Sequence, residues 1–258
     1  MICPVCQKHD WCLVSDDGTQ AICQRVSEGS VRKVGEAGYL FNLNGQKFSK
    51  VSNVQKSVTY APDREHVIKI YTSLKFDKET LKPLAAQLGV SVDSLQNLGC
   101  GKSPKSWNFP MYNARKELIG VKRRSPEGKK WCVRHSRLGV YLPRLFDNKR
   151  PAVICEGESD TAAMLSQGYN AVGRASAMTC RVILSQFLNP ALCHIILADN
   201  DKNGVGVKEA WKLKAKFKTA LVIVPPFGYK DAREWCTSGK FHNNDFINLV
   251  KKAKERQL

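Results

Sequence analysis

From Pro151 onward, short apolar runs alternate with helical patterns, and this alternation restricts the fold more than any other feature of the sequence. Strands are predicted at the runs that end near Glu156, Gly173, Ala198 and Pro225, and a segment with helical character follows each of them. Such alternation is typical of an α/β unit whose largely parallel sheet carries helices on both faces. The expected fold class is therefore α/β.

Two of these predicted strands end in acidic residues. Glu156 directly follows one apolar run, and Asp199 and Asp201 follow another. Residues i and i+2 at the end of a strand project to one side, and ligands of open α/β sheets bind beyond the carboxyl ends of the strands. Carboxylates brought together there repel one another unless a cation joins them, and magnesium prefers oxygen ligands. We therefore predict a site for magnesium or manganese at this edge.

Simpler roles are open to the same acids. Taken alone, the stretch Asp199 to Asp201 is a polar turn that caps the next helix. Glu158 and Asp160 lie in the first turn of the helix after Glu156, where acidic residues stabilise the positive end of the macrodipole. We expect Glu158 to have only this role, so that Glu158→Gln costs a few tenths of a kcal/mol and little activity.

The positive charge of the chain is concentrated ahead of the α/β unit. Residues 115–150 contain 12 Lys and Arg against 3 Asp and Glu, which is half of the net charge of +18 in 36 residues. Three short strand candidates joined by turns predict an antiparallel sheet here, with Lys122 and Arg124 on one face. This concentration favours a groove for a polyanion, although a solvated basic face has the same composition.

The region before this sheet has two helical segments and some ambiguous motifs. Residues 67–99 predict a packed pair of short helices. The run Gly-Cys-Gly-Lys-Ser at 99–103 is similar to a phosphate loop, but it lacks the required glycine at Gln96 and has no apolar strand before it. Trp107 and Phe109, with the nearby Tyr112, are expected in the core, and stacking on unpaired bases is the alternative.

Cysteine is concentrated at the start of the chain. Four of the ten cysteines lie within the first 23 residues: Cys3, Cys6, Cys12 and Cys23. The first two are close enough in sequence to bind one zinc from a tight turn, and the other two complete a tetrahedral set. His9 is a competing ligand, but it would leave one cysteine unused. Because residues 1–41 are too few for a conventional core, we predict a structural zinc module.

Together these motifs resemble the Toprim domain that topoisomerases share with bacterial-type primases. The resemblance covers roughly residues 151–240 and rests on Glu156-Gly157 followed by Asp199-Asn200-Asp201, with further matches at Asp160, Gly204, the stretch from Gly173 and Lys230-Asp231. It implies magnesium held by the acids, with Glu156 as the general acid/base. The catalytic residues implied are Glu156, Asp160, Asp199, Asp201 and Asp231, of which Glu156, Asp199 and Asp201 are the magnesium ligands.

The preceding regions resemble the remaining parts of a bacterial-type primase. The basic strands look like the half of a primase core that presents Lys and Arg to template and nucleotide phosphates. This implies binding residues at Lys122, Arg123, Arg124, Lys130, Arg134 and Lys230. The expected domains are a zinc module (1–41), a linker (42–66), a basic mixed helical and antiparallel subdomain (67–150), a Toprim domain (151–240) and a C-terminal helix (241–258).

The function implied is that of a DNA-dependent RNA primase from a phage or mobile element. Its expected partners are a single-stranded DNA template, nucleoside triphosphates and a separate replicative helicase. The alternatives are a Toprim nuclease and a non-catalytic protein that binds single-stranded DNA. No apolar run reaches the ~18 residues of a membrane span and the start lacks a signal-peptide pattern, so we expect a cytoplasmic protein without membrane contact.

Overall fold

The structure, a computed structural model, describes residues 2–7, 12–15, 18–34, 37–43, 63–176 and 180–257. It divides the chain into two units, Met1–Thr59 and Tyr60–Leu258. Most of the predicted linker lies outside the described residues, and its last four positions belong to the first helix or its cap. Among the described helices, none combines the length and apolar character that crossing a bilayer requires.

The first unit contains a small antiparallel sheet. Its strands pair in the order β1-β2-β4-β3. Their bounds are β1 (Leu13–Val14), β2 (Gln20–Cys23), β3 (Arg32–Lys33) and β4 (Tyr39–Asn42). The buried hydrophobic cluster of this unit consists of Cys3, Cys23 and Phe41. Two of these three residues are predicted zinc ligands, so very little apolar surface holds the unit together.

The second unit is a mixed α/β fold. Its helices are α1 (Arg64–Thr72), α2 (Lys78–Leu88), α3 (Val92–Asn97), α4 (Glu158–Ser166), α5 (Arg181–Phe187), α6 (Val205–Lys214), α7 (Ala232–Thr237) and α8 (Asn243–Gln257). Its strands are β5 (Gly101–Ser103), β6 (Ser106–Tyr112), β7 (Leu118–Arg124), β8 (Lys130–Cys132), β9 (Val140–Tyr141), β10 (Val153–Glu156), β11 (Ala171–Arg174), β12 (Ile195–Leu197) and β13 (Leu221–Ile223).

All nine of these strands form one sheet, in the order β13-β12-β10-β11-β9-β6-β7-β8, with β5 paired to β6. Strands β10 to β13 are parallel to one another and constitute the parallel half. Strands β5 to β8 are antiparallel and constitute the antiparallel half. The two-residue strand β9 pairs with β11 on one side and with β6 on the other. The sequence predicted both halves but not the short strand that joins them.

Both faces of the parallel half are buried. Val153 and Cys155 belong to a hydrophobic cluster on one face of the sheet, with residues of α2, α3, α4, α7 and α8. Ile154, between them in sequence, belongs to a second cluster with residues of α5 and α6. Alternate residues of a strand point to opposite faces, so helices cover the parallel half on both sides. The predicted α/β fold class is confirmed.

The region before the sheet also follows its sequence pattern. The predicted helix pair is formed by α2 and α3, and Gly89 ends α2 with a φ of 69°, a left-handed conformation that glycine adopts readily. The 99–103 run forms β5 rather than a phosphate loop. Trp107 and Phe109 are buried, so the predicted core role of these two aromatic residues is confirmed.

Candidate active site

A polar cleft of about 370 Å³ lies where the carboxyl ends of the parallel strands meet the antiparallel half. Glu156 ends β10, Arg174 ends β11, Asp199 follows β12, and Lys230 and Asp231 follow β13. The side chains that line it carry charges of both signs. They are Lys122, Arg124, Lys130, Glu156, Glu158, Asp160, Arg174, Asp199, Lys230, Asp231 and Arg233.

Two glycines allow the acidic side of the cleft to form. Gly157 has a φ of 93° and turns the chain sharply from β10 into α4. At Gly173, on the neighbouring strand β11, a Cβ atom would collide with Thr161 Oγ1, so glycine is required for α4 to pack this closely. Thr161 Oγ1 in turn donates a hydrogen bond of 2.6 Å to the Gly157 carbonyl. These contacts fix Glu156 at the end of β10.

Helices α4 and α7 carry further carboxylates into the same cleft. Asp160, in the first turn of α4, accepts a hydrogen bond of 2.9 Å from the Arg233 backbone N–H. Asp231 caps α7 by accepting 2.7 Å from the Glu234 N–H. Asp199 enters the cleft from the loop after β12. Four predicted catalytic residues, Glu156, Asp160, Asp199 and Asp231, therefore line one cleft.

The carboxylates of this cluster perturb one another. Burial, and then the charges of Asp160, Glu156 and Asp231, raise the pKa of Asp199 to about 8. Burial, and then the charge of Asp231, raise the pKa of Asp160 to about 7. Both carboxyl groups therefore resist ionisation unless positive charge comes close. A hard divalent cation with oxygen ligands meets this requirement, so the donor set fits magnesium or manganese.

The opposite side of the cleft is basic. Lys122 and Arg124 occupy alternate positions of β7, which places both on one face as the sequence predicts. Lys130 of β8 pairs with β7 at Arg124 and lies beside it. The Lys and Arg side chains of the antiparallel half thus face the carboxylates of the parallel half. The cleft therefore offers cationic side chains to an anion and carboxylates to a cation.

Glu158 differs from what the sequence suggested. Its side chain is only 2% exposed and forms ion pairs with Lys130 at 2.7 Å and Arg124 at 3.6 Å. Burial acts to raise its pKa, but the charge and hydrogen bond of Lys130, together with Arg124, outweigh burial and hold the pKa below its ordinary value. The prediction that Glu158 serves only the helix dipole is wrong, because its partners come from strands distant in sequence.

Arg174 was not predicted as a site residue. It is fully buried at the end of β11, and its Nη2 lies 3.4 Å from Glu156 Oε2. Its guanidinium places a buried positive charge directly beside the Glu156 carboxylate. The sequence signals were its place directly after Gly173, at the end of a predicted parallel strand, and its inclusion in the stretch that resembles the Toprim domain.

Three predicted residues are not among the described residues that line the cleft. Asp201 accepts hydrogen bonds from the Val205 and Gly206 N–H groups at 2.8 and 3.0 Å, so it caps α6. Arg123 lies on the other face of β7, where its Nε donates 3.1 Å to Asn108 Oδ1. Arg134 is exposed beyond the end of β8.

The four cysteines predicted to bind zinc come together in the first unit. The Sγ atoms of Cys3, Cys6, Cys12 and Cys23 all lie within 4.8 Å of one another. The Sγ atom of Cys12 is 3.7 Å from that of Cys6 and 3.8 Å from that of Cys23. Tetrahedral zinc with Zn–S bonds of about 2.3 Å requires S–S separations of about 3.8 Å. The cluster therefore fits structural zinc, while His9 lies outside the described residues.

Arg25 adds positive charge next to these sulfur atoms. Its Nη1 lies 3.8 Å from the Sγ atoms of both Cys6 and Cys12, and its backbone N–H donates 3.4 Å to Cys23 Sγ. These donors would lie directly around a metal ion held by the four sulfur atoms.

No protein-family model and no curated protein matches the sequence. Solved structures do match the fold. The primase fragment of the bacteriophage T7 primase-helicase protein matches with a TM-score of 0.51 and 17% identity, over 64% of this chain and 72% of that one. The Escherichia coli primase catalytic core matches with a TM-score of 0.53 and 16% identity, over 74% of this chain and 80% of that one. The zinc-binding and RNA polymerase domains of Aquifex aeolicus primase match with a TM-score of 0.54 and 16% identity, over 74% of this chain and 60% of that one.

These similarities define the fold. The chain has the fold of bacterial and phage primase catalytic cores, as the predicted resemblance requires. At this level of identity, activity has to be argued from the residues of the cleft.

Proposed function

We propose that this protein is a DNA-dependent RNA primase, which joins nucleoside triphosphates on a single-stranded DNA template. The observation that carries the proposal is the cleft, in which four carboxylates of the parallel half face the Lys and Arg side chains of the antiparallel half. A reaction of triphosphates needs both features, because phosphates require cations and the departing pyrophosphate requires a metal-binding centre.

The acids predicted to be catalytic divide into two roles. Glu156 and Asp199, with Asp231 beside them, would hold magnesium or manganese, which would activate the attacking hydroxyl and neutralise charge on the triphosphate. Asp201 already accepts two N–H groups of α6, so we assign it to positioning the loop that carries Asp199. In the reaction, the 3′ oxygen bonds to the α-phosphorus, the bond to pyrophosphate breaks, and Glu156 accepts the hydroxyl proton.

The basic residues bind the phosphates. Lys122 and Lys130, from neighbouring strands, and Lys230, from the loop after β13, point charge into the cleft from different directions. A triphosphate or a template backbone in the cleft would contact them. One matched structure with this fold is a DnaG primase catalytic domain bound to single-stranded DNA, with a TM-score of 0.53 and 14% identity.

The proposal is tested with the purified protein, single-stranded templates, labelled nucleoside triphosphates and magnesium, and with extension and template cleavage scored in the same reaction. Products longer than one nucleotide that require template and magnesium are expected. Cleavage of the template without extension would identify a nuclease that uses the same acids. Binding of the template without either reaction would identify a non-catalytic DNA-binding protein.

A further inference from the structure

An aromatic side chain with no function assigned so far projects from the loop after β13. Phe227 is fully exposed, more so than any other large hydrophobic residue that the structure describes. The chain around it forms a tight turn, in which the Tyr229 N–H donates 3.2 Å to the Pro226 carbonyl. Gly228 has a φ of 97°, which is typical of the third position of a type II turn. The turn therefore holds the ring in water.

The ring borders a cavity of about 540 Å³ between the loops after β12 and β13, which we call the Phe227 cavity. The two loops are joined by a hydrogen bond of 2.7 Å from the Asn200 N–H to the Lys230 carbonyl. Lys202 and Lys230 also line the cavity, together with Asp201 and Glu234, whose carboxylates already accept backbone N–H groups of α6 and of Lys230. Lys230 also lines the polar cleft that contains the carboxylates, so the two cavities are adjacent.

This combination matches the chemistry of an unpaired nucleobase. Bases without a pairing partner stack on aromatic side chains, and any base can do so because every base has a π-face. Stacking on Phe227 would remove apolar surface of both rings from water. The two lysines would attract the phosphate attached to such a base, and Lys230 would lie between that phosphate and the acidic cleft.

We propose that the Phe227 cavity binds an unpaired nucleobase by stacking it on Phe227, next to the centre where nucleotides are joined. The inference rests on the proposed function, since it extends the same edge of the sheet. The base can come from the single-stranded template or from a nucleoside triphosphate, and the recognition chemistry is the same for both.

The test compares wild type with Phe227→Leu, which keeps an exposed apolar side chain but removes the aromatic face, and with Phe227→Trp, which keeps it. Binding is measured for oligo-dT, for the same oligonucleotide with abasic sites, for ATP with magnesium and for inorganic triphosphate with magnesium. If the base belongs to the template, Phe227→Leu weakens oligo-dT binding by about tenfold and leaves the abasic oligonucleotide unchanged. If it belongs to the nucleotide, ATP binding weakens and triphosphate binding does not.

Controls separate this inference from the fold and from the proposed function. Phe227→Trp should bind at least as well as wild type, and Leu145→Ala, which removes another strongly exposed apolar side chain, should change nothing. Equal binding of all four probes by wild type and Phe227→Leu would overturn the inference. Because binding is measured without turnover, a base-dependent loss in a protein that joins no nucleotides would sustain the site and overturn the primase function.

Discussion

The cysteine cluster of the first unit and the carboxylate cluster at the edge of the nine-stranded sheet are both groups of like ligands for which we propose a cation. They differ in what surrounds them. The cysteines supply two of the three members of their unit's buried cluster, Cys3 and Cys23 beside Phe41. The carboxylates lie at the end of a sheet with a large hydrophobic cluster on each face. We therefore expect metal to contribute to folding in the first case and to chemistry in the second.

The largest expected effect is the loss of the first unit's fold. A Cys3→Ser, Cys6→Ser double variant should lose about one zinc per chain, because two of the four thiolate ligands are gone. Metal analysis of protein purified without chelator measures the zinc, and limited proteolysis should show residues 1–59 cut rapidly while 60–258 resist. Zinc that survives the double change would refute the site. Removing magnesium should leave both units folded.

A second prediction concerns Glu158, the acid that already has partners. Glu158→Gln should cost about 2 to 4 kcal/mol of unfolding free energy, since it leaves Arg124 and Lys130 without their buried counter-charge. The partial solvent exposure of Lys130 lowers this cost. Urea unfolding measures the change. Glu255→Gln, on the exposed side of α8, is the matched control. Equal stability of the two variants would return Glu158 to the helix-dipole role.

The crowded acids predict that stability depends on pH when no divalent cation is bound. In chelated protein, Asp160 and Asp199 keep their protons to higher pH when folded than when unfolded, because their pKa values are raised to about 7 and about 8. The folded state then binds more protons, so stability should fall as pH rises from about 4 to about 8. Magnesium should raise Tm more at pH 8 than at pH 6, by roughly 2 to 4 °C per kcal/mol.

Asp199→Asn is the control for this dependence, since it removes the more strongly shifted carboxyl group. Its Tm should fall less between pH 6 and pH 8, and magnesium should raise it less. A wild-type Tm that does not respond to magnesium at pH 8 would show that the cluster binds no cation.

The smallest predicted effect is on salt dependence. Lys122→Ala should lower the slope of log affinity against log salt for single-stranded DNA by up to about 0.7, because one phosphate contact is lost. Arg124 is left in place, since its removal would also disturb Glu158. Arg123→Ala, adjacent in sequence but on the other face of β7, should leave the slope unchanged. Equal slopes for Lys122→Ala and wild type would show that Lys122 contacts no phosphate and contributes only to the solubility of the protein.

The sequence predicted a site residue best where the end of a single strand, or a short spacing between two residues, determines where that residue lies. Glu156 and Asp199 could be placed together because the carboxyl ends of parallel strands meet at one edge. The close spacing of Cys3 and Cys6 likewise predicted one ligand cluster. In each of these cases the local pattern already contains the geometry.

The role of Glu158 was not predictable because it depends on pairing across the sheet. In sequence, Glu158 is an ordinary acid in a first helical turn, and its partners precede it by 28 and 34 residues. They reach it only because β9, a strand of two residues, connects the two halves of the sheet. Asp201 shows the opposite case, in which the spacing of two residues from Asp199 suggested a ligand and the backbone of α6 uses it as a cap.

The central claim is that Glu156 supports nucleotide joining on a scaffold that does not need it. Glu156→Gln retains size and one oxygen but loses the charge for a cation and the ability to exchange a proton. We predict a loss of joining rate of at least ~10² to 10⁴ and an affinity for single-stranded DNA close to wild type. Tm should fall only slightly, because Gln keeps an oxygen beside the buried Arg174 guanidinium. Glu255→Gln should join nucleotides normally. Joining by Glu156→Gln at the wild-type rate would contradict the account.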